Sequence, residues 1–410
     1  MIIYRMGIIP ELTVAVLGVG IPLLYLLGPA TWLGVALTGG FGRTFRATPA
    51  VLWTAFFACM ILSALFSSWI GGSADRLVAY IKSEYVCLFA LAGTITLWSE
   101  IRKTFTGLAF AGAVVLLAAR IWATPGGDGR LTFNLGSDGT ITNPNDLAAH
   151  IILLTPFLIY MVMKPDTAKL VKLISAVLIG YGLWIILGTA SRGGMIGVFV
   201  MFAIFFVRAT GGQRVVAMVM VPLLLGGLVA AAPGAALVRL GTMFGSGIAT
   251  QSGEAEESME SRSYLVKKSI EYTLEHPLLG VGPNQFSNYE GMAMKALGQQ
   301  GNWHETHNTY TQLSSECGIP ACILVISAML LTLGMVNRTH SKATAAGCRD
   351  MQVMCTCFLA SFAAYAVTIT FLACAYRFTL PAMVGLGIAI HYAGDREIAT
   401  RMAAAQSAQT

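Results

Sequence analysis

The stretch LVKLISAVLIGYGLWIILGTASRGGMIGVFVMFAIFFVR, residues 170–208, decides the fold. Two apolar runs, 170–188 and 191–208, flank one short polar turn, Thr189-Ala190-Ser191-Arg192-Gly193-Gly194. Crossing a bilayer core takes about 20 apolar residues in a helix, and each run is close to that length. In lipid a helix satisfies its own backbone polar groups, so the stretch reads as two membrane helices joined by a tight turn. Similar runs lie at 8–25, 26–38, 49–69, 77–97, 104–122, 146–163, 214–232, 309–336, 350–374 and 378–394. At about 20 residues each, these give about twelve spans in all.

Composition agrees. The chain has 410 residues, 56% hydrophobic and only 11% charged, against about 25% charged in an ordinary soluble domain. A soluble enzyme, a disordered chain and a nucleic-acid-binding protein are excluded. The expected fold class is an all-α integral membrane protein: helices 1–9 in residues 1–232, a loop domain at 233–308, helices 10–12 in 309–394, and a tail at 395–410. The eight cysteines lie in or beside apolar runs and form no disulfide framework or metal pattern.

Basic residues sort by membrane side. Arg5, Arg43, Arg46, Arg102, Lys103, Lys164, Lys169, Lys172, Arg208, Arg214, Arg338, Lys342, Arg349, Arg396 and Arg401 collect on one side, which marks the cytoplasm and places both termini there. Arg76, Arg120, Arg130, Arg192, Arg239, Arg262, Lys267, Lys268, Lys295 and Arg377 fall on the other. In its short loops and span ends that outer side carries arginine, whose planar fork binds phosphate bidentately and never titrates away. An anionic ligand at the outer surface is the expectation, with Arg192 the sharpest case because its flanking glycines permit close backbone approach. Lys82 and Glu84 lie inside the fourth span, two apart, so each needs a partner elsewhere.

The long loop passes an acidic patch (Glu254, Glu256, Glu257, Glu260), read as a solvated face. An amphipathic stretch, Ser261–His276, follows, with Val266, Ile270 and Leu274 at one-face spacing. Pro277-Leu-Leu-Gly-Val-Gly-Pro283 then turns the chain. Near its end stands Trp303-His304-Glu305-Thr306-His307-Asn308. Its histidines are three apart rather than the four of a metallopeptidase helix, so no metal is expected. Tyr310, Thr311, Ser314 and Gly318 share a helix face with His307, a polar stripe that suggests a wet groove. A histidine there is placed to take a proton.

His307-Asn308, nine residues, then Gly318-Ile319-Pro320-Ala321 resembles the signature of bacterial O-antigen ligases and O-antigen polymerases, with alanine in place of the last glycine. Ser191-Arg192-Gly193-Gly194, and Arg262 followed by His276-Pro-Leu-Leu-Gly-Val-Gly-Pro283-Asn284, resemble the same family in order and sidedness. The resemblance implies a GT-C-like, metal-independent, inverting membrane glycosyltransferase without cofactor, in the bacterial inner membrane. Its donor would be a glycan on undecaprenyl diphosphate. Its acceptor would be the lipid A core for a ligase, or another repeat unit for an O-antigen or exopolysaccharide polymerase.

On that reading Arg192 and Arg262 stabilise the leaving diphosphate, and His307 is the base. Arg130, Arg377, His304, Asn308, Tyr310 and Lys82 line the substrate site. The loop 233–308 caps a periplasmic active site. A polysaccharide or lipid transporter is the alternative from another class, but such proteins place ionisable residues near the midplane, and here they gather at one face.

Overall fold

The computed structural model describes residues 1–20, 23–126, 129–133, 135, 140–230, 234, 252–301 and 303–407. Side chains are also undescribed at 25, at several positions in 217–229, at 252–259 and at 405. Arg239 lies outside the described residues, as do the side chains of Glu254, Glu256 and Glu257.

The chain is mostly helical. In order come α1 (Ile2–Met6), α2 (Ile9–Leu17), α3 (Leu23–Leu37), α4 (Gly40–Thr44), α5 (Thr48–Leu65), α6 (Ile70–Ala79), a π-helical turn (Tyr80–Tyr85), α7 (Val86–Ala92) and α8 (Trp98–Trp122). A small antiparallel hairpin, β1 (Ala123–Pro125) with β2 (Leu131–Phe133), follows. Then come α9 (Pro144–Met163), α10 (Lys169–Gly188), α11 (Arg192–Arg208), α12 (Gly211–Ala230), α13 (Ser252–Glu275), α14 (Phe286–Ala296), α15 (Thr309–Ala345), α16 (Arg349–Thr368) and α17 (Thr379–Ser407).

Among the described residues six helical segments are long and apolar enough to cross a membrane: 48–65, 98–122, 144–163, 169–188, 309–345 and 349–371. The centre of the bundle is α9 and α16, with 78% and 72% of their most apolar stretch buried. Phe105, Phe157 and Tyr160 pack edge-to-face there, and Ser361 Oγ donates to the Leu153 carbonyl at 2.5 Å.

Three expectations change. The run 8–25 is not one helix: Ile8 and Gly18 are both left-handed and bound α2. The run 77–97 is divided into α6, the π turn and α7. In that turn Glu84 is buried, facing Arg5 at 3.6 Å and Arg76 at 4.0 Å, with Ser83 Oγ donating to it at 2.7 Å. Arg5 and Arg76 thus meet at one carboxylate, so the expected placing of the two on opposite sides does not hold.

The third concerns α13. Leu265, Ser269 and Tyr272 form its buried face, while Ile270 and Leu274 are exposed. A second small core of Leu265, Tyr272, Val281 and Phe286 selects that face. Beneath it Glu290 accepts from Tyr264 at 2.5 Å and from the Tyr272 hydroxyl. The hydrogen bond to Glu290, then desolvation and the carboxylate's charge, push the Tyr264 phenol up to about 12.

Candidate active site

The defining joint is between the long loop and α15. Backbone geometry breaks at Gly318 (φ 86°, ψ 165°), and Pro277-Leu-Leu-Gly-Val-Gly-Pro283 fits against the break. Val281 N donates to Ser315 O at 2.9 Å, Gly282 N to Glu316 O at 3.0 Å, and Ile319 N to Pro277 O at 2.8 Å. A Cβ on Gly280 would fall 2.3 Å from the Glu316 carbonyl carbon, so that position has room for glycine alone. The Glu316 carboxylate, fully inside, accepts from Asn284 N at 3.0 Å and Phe286 N at 3.2 Å. Ser68 Oγ, from the α5–α6 turn, donates to Val281 O at 3.0 Å.

This joint presents the His304–Asn308 segment at one end of the bundle. Asn308 caps α15, its side-chain oxygen accepting from Tyr310 N at 2.9 Å and Thr311 N at 3.2 Å. Thr306 Oγ donates to Asn308 O at 3.0 Å. Between the two, His307 is held left-handed (φ 51°), a conformation uncommon outside glycine and asparagine and concentrated at functional sites.

Burial, then the Arg262 guanidinium and the His304 ring, push the His307 imidazole down to about 4, with Asp146 pulling the other way. Its ring is therefore neutral at physiological pH. Glu305 is open to solvent, yet the surrounding protein raises its carboxyl by desolvation, opposed by Arg377 and Arg76. Sequence reading gave Glu305 no role, and its placement in the field of two arginines and Asp146 is the signal that was missing.

The remaining predicted residues divide into two groups. Arg130 is buried, its Nε donating to Thr189 O and its Nη2 to Asn145 Oδ1, both at 2.7 Å. Arg377 donates to Asp146 Oδ2 at 2.9 Å and to Thr140 O at 2.8 Å. Both arginines therefore fasten the Asn143-Pro144-Asn145-Asp146 start of α9 to its neighbours, Arg130 to the Thr189 turn. That turn leads into Arg192, half-buried as the first residue of α11. Its glycines admit protein rather than ligand: a Cβ on Gly193 would fall 2.6 Å from the Phe371 ring, and one on Gly194 2.9 Å from Ala148 Cβ.

Along the polar stripe below His307, Tyr310, Thr311 and Ser314 are half-buried and Gly318 is buried. Tyr310 Oη donates to Ala366 O at 2.8 Å, Ser314 meets Thr273 of α13 at 2.8 Å, and Leu278 lies over Gly318. His276 pairs with Tyr289 at 3.2 Å. Lys82 is exposed on the π turn and forms no ion pair among the described residues.

One end of this mostly helical chain thus brings His307 into the field of Arg262, His304 and Asp146, and Glu305 into that of Arg377 and Arg76. Residues 174–326, from within α10 into α15, match the family model of O-antigen ligase, the family that the His307-to-Ala321 run resembles. Arg192, Arg262, His304, His307, Asn308 and Tyr310 fall inside the match; Arg130, Arg377 and Lys82 fall outside it. No curated protein matches the chain.

Proposed function

We propose that this protein is an O-antigen ligase-type glycosyltransferase. It moves a glycan from undecaprenyl diphosphate to a hydroxyl of the lipid A core at the periplasmic face of the bacterial inner membrane. The scaffold would be a multi-span, GT-C-like one, with residues 233–308 as the periplasmic loop and 395–410 as a cytoplasmic tail. One observation carries the reading: the segment matching O-antigen ligase contains Arg192, Arg262 and His307 together.

In the reaction the acceptor oxygen attacks the anomeric carbon while the neutral His307 ring takes its proton. The bond from that carbon to the diphosphate oxygen breaks with inversion, and its electron pair leaves on the lipid diphosphate. Arg192 and Arg262 stabilise the charge that grows there. Loss of one such preorganised donor typically costs about 2.7–4 kcal/mol of barrier. The diphosphate also acts on His307. An anion beside Arg262 offsets the cation that depresses the imidazole, so the base strengthens when the donor is bound.

His304 and Glu305 orient the acceptor, Arg130 and Arg377 hold the backbone beneath Arg192 and His307, and Asn308 fixes the His307 backbone.

The test uses full-length protein in detergent with undecaprenyl-diphosphate glycan and lipid A core. Glycan appearing on the core, abolished by His307→Ala and by Arg192→Ala with expression intact, is the expected result. Near-normal transfer in either variant sinks that assignment. Glycan joined only to glycan marks a polymerase. Failure to consume donor in detergent, where transport has no second compartment, favours the transporter.

A further inference from the structure

At the end of the bundle away from His307 lies an open cleft of about 1010 Å³ between α9, α11, α12, α15 and α16. Phe199, Phe202 and Phe206 form much of its apolar wall, and Arg208, His340 and Arg349 stand at its polar end. Helix α11 runs from Arg192 to Arg208, 17 residues, so at 1.5 Å per residue roughly 25 Å separates the cleft's cations from the candidate active site.

The charges here are unbalanced in a specific way. Neighbouring carboxylates are committed elsewhere: Asp350 to Arg102 at 2.8 Å, Asp395 to Lys342 at 2.6 Å, and Glu397 to Arg401 at 2.9 Å. Among the described residues no carboxylate lies within ion-pair distance of Arg208 or Arg349. Among the described residues Arg208 donates to the neutral Asn337 side chain, at 2.5 Å. Two guanidinium groups without counter-ion beside a phenylalanine-lined opening match a molecule with a phosphate at one end and hydrocarbon at the other. Basic pockets between membrane helices bind such head groups, and the guanidinium fork suits phosphate.

We infer that this cleft is a binding site for an anionic glycerophospholipid, with its phosphate on Arg208 and Arg349 and its acyl chains along the phenylalanine wall. The apolar wall favours a lipid over a free anion, and the arginines favour an anionic lipid over a zwitterionic one.

Full-length protein in detergent is titrated with phosphatidylglycerol, and separately with phosphatidylcholine of the same chains, and retained lipid is read by native mass spectrometry. Wild-type protein should retain phosphatidylglycerol at least tenfold better. The R208Q/R349Q double variant should bring the ratio to within twofold, while Arg396→Gln, an exposed arginine on the tail-bearing α17, leaves it unchanged. A203W, which fills the cleft from its lining and spares both arginines, should lose phosphatidylglycerol as well. Equal retention of the two lipids by wild-type protein overturns the inference. So does an unchanged ratio in the double variant, unchanged retention in A203W, or displacement of the lipid by millimolar inorganic phosphate alone, which would mark a free-anion site. Glycan transfer is not read in any arm, so the fate of the proposed reaction leaves the result intact.

Discussion

A Cβ on Gly318 would fall 2.1 Å from the Leu278 carbonyl oxygen, which puts a glycine of the long apolar helix α15 directly beneath the backbone of the loop. The signature spacing from His307 has a structural cause: it counts from the head of α15 to the point where the loop is set into it. Gly318→Ala meets both the clash and a backbone region that is nearly glycine-only, which by itself costs on the order of 1–3 kcal/mol. We expect little folded protein from that variant by size-exclusion chromatography. Ala321, where the signature has glycine, is buried and helical. Ala321→Gly should lower stability by only about 0.5–1 kcal/mol.

Glu316 is the second fastening of the same joint. Removing its carboxyl leaves the Asn284 amide and the buried Phe286 amide without acceptors, and a buried donor left unsatisfied costs roughly 1–3 kcal/mol. Glu316→Ala should expose the loop to limited proteolysis and lose transfer, while Glu316→Gln should retain part of both. An equally protected loop in the alanine variant would show that the backbone bonds suffice.

The pH profile of transfer tests His307. Its imidazole lies below the ordinary histidine value, at about 4, so the acid limb of kcat/KM, which reports the free enzyme, should fall near 4 and not near 6.5. With donor bound the limb in kcat should sit higher, because the diphosphate offsets Arg262. Arg262→Gln removes a cation and should raise the limb of kcat/KM. The contribution to stability follows the same sign. A histidine kept neutral by the fold takes up a proton on unfolding, so stability falls as pH drops from about 6.5 towards 4. An acid limb near 6.5 in the wild type would rule out His307 as the base.

Arg377 and Asp146 form an ion pair whose acidic side chain is 1% exposed and whose basic one is 29% exposed. Arg377→Ala leaves a buried carboxylate without its cation and should cost roughly 3 kcal/mol, the low end for breaking a buried pair, given the partial exposure. Asp146→Asn with Arg377→Gln removes both charges and should recover much of that loss in thermal unfolding. If the double variant is no better than the single, the pair is not the source of the stability.

Much of the bundle was legible because apolar length suffices for it: the runs at 49–69, 104–122, 146–163, 170–188, 309–336 and 350–374 each meet a helix of span length. Runs 8–25 and 77–97 read the same way, but hydropathy does not register a left-handed Gly18 or a π turn that aims Glu84 inward. The family resemblance singled out His307 and Arg192, whose roles are proposals. Partnership was not legible. Arg130 and Arg377 carry the same charge as Arg192, and only the fold reveals Asn145 and Asp146 beside them. The buried face of α13 was likewise set by tyrosines reaching Glu290 across the loop, contacts that no spacing within one helix encodes.

The backbone bonds from Pro277, Val281 and Gly282 to Ile319, Ser315 and Glu316 also bear on how a bulky acceptor enters. A flap hung on flexible ends can lift away alone. Here the loop grips α15 at Ser315, Glu316 and Ile319, two to three turns below its start, so lifting it means unseating a kinked membrane rod along with it. The seam at Gly318 is therefore a rigid keystone, and in the proposed reaction substrates would have to arrive past a frame that holds its shape.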